Sequence, residues 1–377
     1  MLIVGASLAE HFAALEDPRA EHLTDYKLVD IIMIAICGVI CGAETWTDIE
    51  LFGNERQQWL EQFLQLENGI PSHDTFGRIF ARIDTDQFQL CFASWVQAVF
   101  QATKGQVVAL DGKTVRRSHD QTNNKKAIHM VSAWATANHL VLAQQKVDEK
   151  SNEITAIPEL LRLLDISGCI ITIDAMGAQT EIAEQIIAQE ADYLLAIKAN
   201  QSHLHEDMRL FFKLAYENNF QKVESTYHRT VNKDHGRIEI RECWAISGEE
   251  SLQFLRKHNQ WEGLKSIVMV TGQRQLAGRT STQTRYYISS MANDAEKILH
   301  AARSHWGIEN SLHWVLDVAM KEDDSRIRKE NAPANMSMLR HIALNLLRQE
   351  RTLKRGVAGK RLKAAMNPDY LLKVLTV

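Results

Sequence analysis

The spacing of apolar and polar positions changes several times along the chain, and each change marks an element. Residues 7–100 carry apolar positions at helical spacing, broken at Asp17-Pro18-Arg19. Residues 28–40 are apolar on every face, which predicts a core helix. The apolar run from Ile31 to Ala43 falls short of the roughly 20 residues that a membrane-spanning helix requires. Gly42 and a polar step at 45–48 follow. Residues 49–66 are amphipathic, with Leu51, Phe52, Trp59, Leu60, Phe63 and Leu64 on the apolar positions. After Gly69-Ile70-Pro71, Ser72 is placed to cap a helix whose apolar face is Phe76, Ile79, Phe80 and Ile83. A helix, a short Gly-Pro turn and a helix admit two readings: a helix-turn-helix DNA reader exposing Arg78 and Arg82, or a plain helical bundle.

From residue 107 short apolar, β-branched runs alternate with helical periods. Strands are predicted at 107–110, 128–136 and 140–147, the last two joined by a tight Asn138-His139 hairpin. A helix at 154–164, a buried strand from Cys169 that ends in Asp174, a helix at 180–189 and a strand at 193–197 follow. Strand, strand, strand, helix, strand, helix, strand predicts an α/β domain: an antiparallel meander continued by parallel crossovers, the element order of a ribonuclease H-like fold. Residues 200–290 break the rhythm, with strand-like runs at 221–230, 237–246, 266–271 and 284–290 and a turn at Asp234-His235-Gly236. They read as a mostly β insertion. Helices resume at Asp294; the period over 308–320 puts Glu309, His313 and Asp317 on one helix face. A helix at 332–347 and a Lys/Arg-rich tail complete the chain. The predicted organisation is an all-α N-terminal domain (1–100), an α/β ribonuclease H-like core (101–199 and 291–347), an inserted β-rich subdomain (200–290) and a basic C-terminal tail (348–377).

Composition adds little to this. With 377 residues, 45% hydrophobic and 24% charged, the chain fits a soluble globular protein of two or three domains. No cationic segment precedes an apolar core at the N-terminus, so no signal peptide is expected and a cytoplasmic protein is. The five cysteines (Cys37, Cys41, Cys91, Cys169 and Cys243) form neither a disulfide framework nor a zinc pattern and are expected to be buried. A net charge of −4 argues against a polyanion partner, but its distribution does not. Residues 1–100 hold five Lys and Arg against fifteen Asp and Glu, whereas residues 326–363 hold eleven against two, a candidate phosphate-facing surface.

The candidate chemistry starts at Val107-Val108-Ala109-Leu110, a strand expected to end at Asp111 before an Asp-Gly turn, with Lys113, Arg116 and Arg117 beyond it. If the first and fourth strands are neighbours, Asp111 and Asp174 meet, and a helix packed on the sheet can add Glu309. Three such carboxylates can hold two Mg²⁺ or Mn²⁺ ions roughly 4 Å apart, and oxygen donors suit these hard cations better than zinc. The residue pattern leaves a second reading open, in which both aspartates cap helices or turns, and Asp317, Glu322, Asp323 and Asp324 compete with Glu309. Lys198-Ala199-Asn200-Gln201 reads either as a phosphate contact or as an exposed loop, and His235-Gly236-Arg237 with Arg241 as a charged hairpin or a DNA track. Trp306 flanks Glu309 as a candidate base-stacking side chain, whereas Trp314 is expected in the core.

Several of these strings resemble the H-repeat-associated insertion-sequence transposases, bacterial DDE transposases. Leu110-Asp111-Gly112-Lys113 with Arg116, and Asp174-Ala175-Met176-Gly177-Ala178-Gln179, resemble the first two catalytic blocks. His305-Trp306-Gly307-Ile308-Glu309-Asn310 with His313 to Val318 resembles the third, Ala343 to Leu347 the closing helix, and Gly69 to Phe76 the N-terminal associated segment. The resemblance implies a catalytic, metal-binding triad of Asp111, Asp174 and Glu309. It also implies double-stranded DNA as partner (element terminal repeats and target DNA) and a dimer in the DNA complex. One position departs from related cut-and-paste transposases, which often carry Arg four residues before the Glu: here it is His305, with Arg303 two residues earlier. Candidate phosphate contacts are therefore Lys113, Arg116, Arg117, Lys198, Arg303 and His305. Two further functions fit the same residues: a catalytically silent, transposase-derived DNA-binding protein, and a ribonuclease H-like nuclease without strand transfer.

Overall fold

The computed structural model describes residues 6–20, 24–99, 105–120, 125–148, 151–221, 223–234, 236–276 and 279–376. His235, named above as part of a turn and a DNA track, lies outside the described residues.

The N-terminal part is helical, as expected: α1 (Ala6–Phe12), α2 (Leu28–Cys41), α3 (Trp46–Leu60), α4 (His73–Arg82) and α5 (Thr85–Val99). Two of the starts have a local cause. Thr45 accepts from the Asp48 amide while Asp48 accepts from the Thr45 amide, a capping box at α3, and Ser72 accepts from the Thr75 amide at α4. In α3 the amphipathic reading is corrected at Leu51, which is 61% exposed; Ile49, Gly53 and Leu60 form the buried face instead. Every residue of α2 from Ile31 to Ile40 is buried, so its apolar character on all sides is matched by neighbours on all sides.

The core sheet follows: β1 (Val107–Thr114), β2 (His129–Ala135), β3 (Leu140–Val147), α6 (Glu153–Arg162), β4 (Ile170–Ile173), α7 (Thr180–Ala188) and β5 (Asp192–Ile197). β1 pairs antiparallel with β2 and β2 with β3, while β4 lies parallel to β1 and β5 parallel to β4. His139 takes a left-handed backbone (φ 57°) in the β2–β3 hairpin. Asp111 is not at a strand end: β1 runs on to Thr114 and pairs Asp111 with Ser132 and Gly112 with Val131, which replaces the expected Asp-Gly turn. Glycine leaves room here, because a Cβ on Gly112 would meet the Glu153 carboxylate and the His129 ring and force them to shift.

Residues 200–290 were expected to be mostly β; they open instead with α8 (Ser202–Glu217), which buries Leu204, Met208, Phe212 and Ala215 at helical spacing. Then come β6 (Glu224–Asp234), β7 (Arg237–Ser247), the short α9 (Glu249–Gln253), β8 (Ser266–Leu276) and β9 (Arg279–Ser289). β9 pairs antiparallel with β5, so these strands extend the core sheet to nine, in the order β3-β2-β1-β4-β5-β9-β8-β7-β6.

α10 (Ala295–Gly307) leads into a π turn (Ile308–His313) and α11 (Trp314–Ala319). The expected uninterrupted α-helix over 308–320 is thus broken by a wider turn at Glu309 itself. α12 (Ala332–Gln349) is almost wholly buried and ties the halves together. Asn345 bonds both backbone groups of Val141 on β3 (3.0 and 2.8 Å), and Asn335 donates to the Phe80 and Ile83 carbonyls at the end of α4 (2.7 and 3.0 Å). The N-terminal helices therefore share one apolar core with α12 and the sheet. The basic tail is also corrected. Residues 357–375 form α13 (Val357–Met366) and α14 (Pro368–Leu375), which bury Ala364, Tyr370, Leu371, Val374 and Leu375. Lys360 and Arg361 are buried, and Arg348 lies over the Trp134 ring at 4.5 Å, so these charges are structural, whereas Arg351, Lys354 and Arg355 are exposed. Among the described residues no single helix is long and apolar enough to cross a membrane, and all five cysteines are free thiols.

Candidate active site

Register alone brings two of the carboxylates together. Leu110 on β1 pairs with Ile173 on β4, so the next residues, Asp111 still within β1 and Asp174 just past the end of β4, follow side by side. Glu309 is delivered by the π turn after α10. All three line one cavity of about 290 Å³, together with Thr172, Lys198, Arg285, His305 and Trp306. This is the position outside the carboxyl ends of parallel strands where open α/β sheets place their sites.

The electrostatics are lopsided. Burial, together with the carboxylates of Glu153, Asp174 and Glu309, pushes the Asp111 carboxyl up to about 7. Asp111 has one imidazole nearby, the His313 Nδ1 at 3.7 Å, but burial holds His313 down at about 4, so it supplies no compensating charge at neutral pH. Asp174 also serves a local purpose, accepting the Met176 amide at 2.9 Å; the capping reading is thus true of one of its oxygens. Among the described residues no group of three or more His, Cys, Asp or Glu side chains stands close enough together to hold a metal ion. The donor set nevertheless fits a hard divalent cation in type: carboxylate oxygens only, one of them raised by burial and by the neighbouring carboxylates.

The six cations expected to face phosphate separate into distinct places. Lys198 is exposed and lines the cavity. His305 lines it too, but burial lowers it to about 4 and its Nδ1 lies 3.0 Å from the Thr172 hydroxyl; at neutral pH it is not a cation. Lys113 turns away into a cage of Asp317 (2.7 Å), Asp323 (3.0 Å) and Glu322 (3.2 Å). Arg116 and Arg117 pair with Asp323 and Asp324, at 3.1 and 3.4 Å. Arg303 is exposed outside the cavity lining, with Arg241 and Glu239 as charged neighbours. The cation in the cavity that the sequence reading missed is Arg285, on β9, whose guanidinium sits 3.9 Å from the centre of the half-exposed Trp306 ring. Trp314, expected in the core, is 59% exposed. Arg285 and Trp306 also line a second, larger cavity of about 590 Å³ over β7–β9, with Arg237, Arg241 and Arg274, so an arginine-bearing groove joins the acidic one. In that groove Glu239 offsets part of the charge by pairing with Arg237 at 3.0 Å and with Arg241.

The chain is similar to known proteins over most of its length. Residues 102–346 match the family described as Transposase DDE domain, and residues 9–96 match the one described as DDE_Tnp_1-associated. The chain is 44% identical over 372 residues to "Putative transposase YncI" of Escherichia coli O157:H7, covering 98% of this chain and 94% of that one. It is 43% identical over 373 residues to "H repeat-associated putative transposase YhhI" of Escherichia coli (strain K12), covering 98% and 97%. A shorter relative, "Inactive transposase YbfQ" of the same strain, is 44% identical over 75 residues, covering 20% of this chain and 89% of that one. A DDE domain implies a ribonuclease H-like α/β fold, and the β3-β2-β1-β4-β5 half of the sheet has the antiparallel-then-parallel order read from the sequence. Sheet order, the meeting of Asp111 and Asp174 and the matches over nearly the whole chain lead to one conclusion: the chain belongs to the DDE transposases, among the H-repeat-associated group.

Proposed function

We propose that the protein is a DNA transposase that binds the terminal repeats of its own element, hydrolyses a phosphodiester at each end and joins the freed 3′-hydroxyl to target DNA. The observation that carries this reading is the convergence of Asp111, Asp174 and Glu309 on one cavity that opens into an arginine-lined groove. In this reading the three carboxylates hold two Mg²⁺ or Mn²⁺ ions. Bound there, such ions supply Lewis-acid stabilisation of the phosphoryl oxygens and a more acidic nucleophile. The chain's own groups do the rest. Lys198 and Arg285 line the same cavity and face the phosphate. The neutral His305 keeps the wall beside Asp174 in place through Thr172. Cleavage and joining are both in-line displacements at phosphorus, so positioning and charge neutralisation carry the rate.

In the same reading the N-terminal helices contribute to end binding through the exposed Arg78 and Arg82, residues 200–290 act as the insertion that carries the DNA groove, and the protein works in the cytoplasm, as a dimer when two ends are joined. Asp111→Ala, Asp174→Ala and Glu309→Ala are each expected to abolish Mg²⁺-dependent strand cleavage of element-end DNA while the fold is retained; full cleavage by any one removes that residue from the site.

A second reading is a DNA-binding protein without chemistry; one relative, over 75 residues, is named an inactive transposase. Calorimetry with Mn²⁺ separates the two: saturable binding lost in Asp111→Ala supports the enzyme, and no binding supports the silent protein.

A further inference from the structure

The π turn that bears Glu309 lies between two tertiary contacts, and each reaches the strand of one aspartate. Four residues before Glu309, His305 Nδ1 lies 3.0 Å from the hydroxyl of Thr172, two residues ahead of Asp174. Eight residues after Glu309, Asp317 pairs at 2.7 Å with Lys113, two residues beyond Asp111 on β1. Lys113 and Asp111 share a face of β1, and Asp174 follows Thr172 by two residues at the end of β4, so each contact fixes the chain beside its aspartate.

Resting on the reading proposed above, we infer that Thr172–His305 and Lys113–Asp317 are a pair of positioning contacts that hold Glu309 in register with Asp111 and Asp174. Lys113 and His305 thus act through placement and not as phosphate ligands. The Lys113 contact is braced for this. Its ammonium also meets Asp323 and the buried Glu322, the Ser337 hydroxyl donates to Glu322 at 2.9 Å, and Arg116 grips Asp323 from the other side. Between the two contacts the backbone is wound as a π turn from Ile308 to His313, whose hydrogen bonds enclose one residue more than those of an α-helix. Releasing either end lets that residue slip. On a helix a one-residue slip swings a side chain by about 100°, enough to carry Glu309 off the cavity.

The test uses the full-length protein. Thr172→Val, Asp317→Asn and Lys113→Met are compared with wild type for Mn²⁺ binding by calorimetry without DNA, for hydrogen exchange of the amides of 308–313, and for kcat and KM on element-end DNA. The expected result is a loss of Mn²⁺ affinity of about tenfold in each variant, as for other outer-shell partners of metal ligands. Exchange at 308–313 quickens, kcat falls, KM is unchanged, and Lys113→Arg recovers much of the loss. Because Lys113→Met strands three carboxylates and can unfold the chain, Asp317→Asn and Thr172→Val decide the case. Wild-type Mn²⁺ affinity and kcat in both overturn the inference, as does a raised KM with unchanged kcat, which would make these residues DNA contacts. If wild type binds Mn²⁺ and Asp111→Ala does not, that failure leaves the transposase reading standing; if wild type binds no Mn²⁺, both fall.

Discussion

Asp111 concentrates the energetic conflict of the site. Its carboxyl is raised to about 7 by burial and by three neighbouring carboxylates, so it holds a proton that the unfolded chain releases near 4. Between those two values the folded state binds more protons than the unfolded state, and stability falls as pH rises through the window. The metal-free protein is therefore expected to melt at a lower temperature at pH 8 than the Asp111→Asn variant. Mn²⁺ should raise the wild-type melting temperature more at pH 8 than at pH 5.5, because the cation replaces the proton. Scanning calorimetry at the two pH values checks this; a metal shift equal at both, or larger at pH 5.5, contradicts it. Lys113 shows how a single residue's role escapes the sequence. Its charge was visible beside Asp111, but its partners Asp317, Glu322 and Asp323 lie some 200 residues further along, and nothing local pairs them.

At the scale of elements, the apolar runs that end in Asp111 and Asp174 were legible because a buried strand needs few residues and leaves an unmistakable pattern. The π turn was not. Glu309, His313 and Asp317 recur every four residues, which an α-helix satisfies, and the wider winding depends on tertiary anchors. α8 was readable in Leu204, Met208, Phe212 and Ala215 but was masked by the polar residues between them. The C-terminal helices were hidden by charge: Lys360 and Arg361, counted as part of a tail, are buried, and Arg348 lies over Trp134, while Arg351, Lys354 and Arg355 stay exposed. Glu350 shows how. It is buried at the end of α12, accepts the Thr352 and Leu353 amides (2.8 and 3.3 Å) and the Tyr370 hydroxyl (2.7 Å), and lies 3.9 Å from Lys360. Although burial opposes the charge, the bond from the Thr352 hydroxyl together with these depresses its carboxyl to about 2. A depressed acid stabilises the fold above its unfolded value and loses that contribution as pH falls, here from about 4.5 towards 2. Glu350→Gln is expected to cost about 2–4 kcal/mol at pH 7, read by urea unfolding, and less below pH 3. An unchanged midpoint at pH 7 removes Glu350 from the C-terminal clasp.

At the scale of the molecule, one nine-stranded sheet carries both the acidic cavity, on β1 and β4, and the arginine groove, on β7–β9. Charge is partitioned along the sheet: the carboxylates Asp111, Asp174 and Glu309 line one cavity, and Arg237, Arg241 and Arg274 line the other. Arg241→Ala and Arg274→Ala are each expected to lower the salt dependence of DNA binding by about one unit of log–log slope, measured by fluorescence anisotropy over a salt series. Slopes equal to wild type place the DNA elsewhere. The account as a whole depends on three distant acids acting as one site. Its most direct test is single-turnover cleavage of element-end DNA in Mg²⁺ by wild type, Asp111→Asn, Asp174→Asn and Glu309→Gln, each first shown to be folded and to bind that DNA. The account predicts cleavage by wild type alone; cleavage at the wild-type rate by any of the three variants contradicts it.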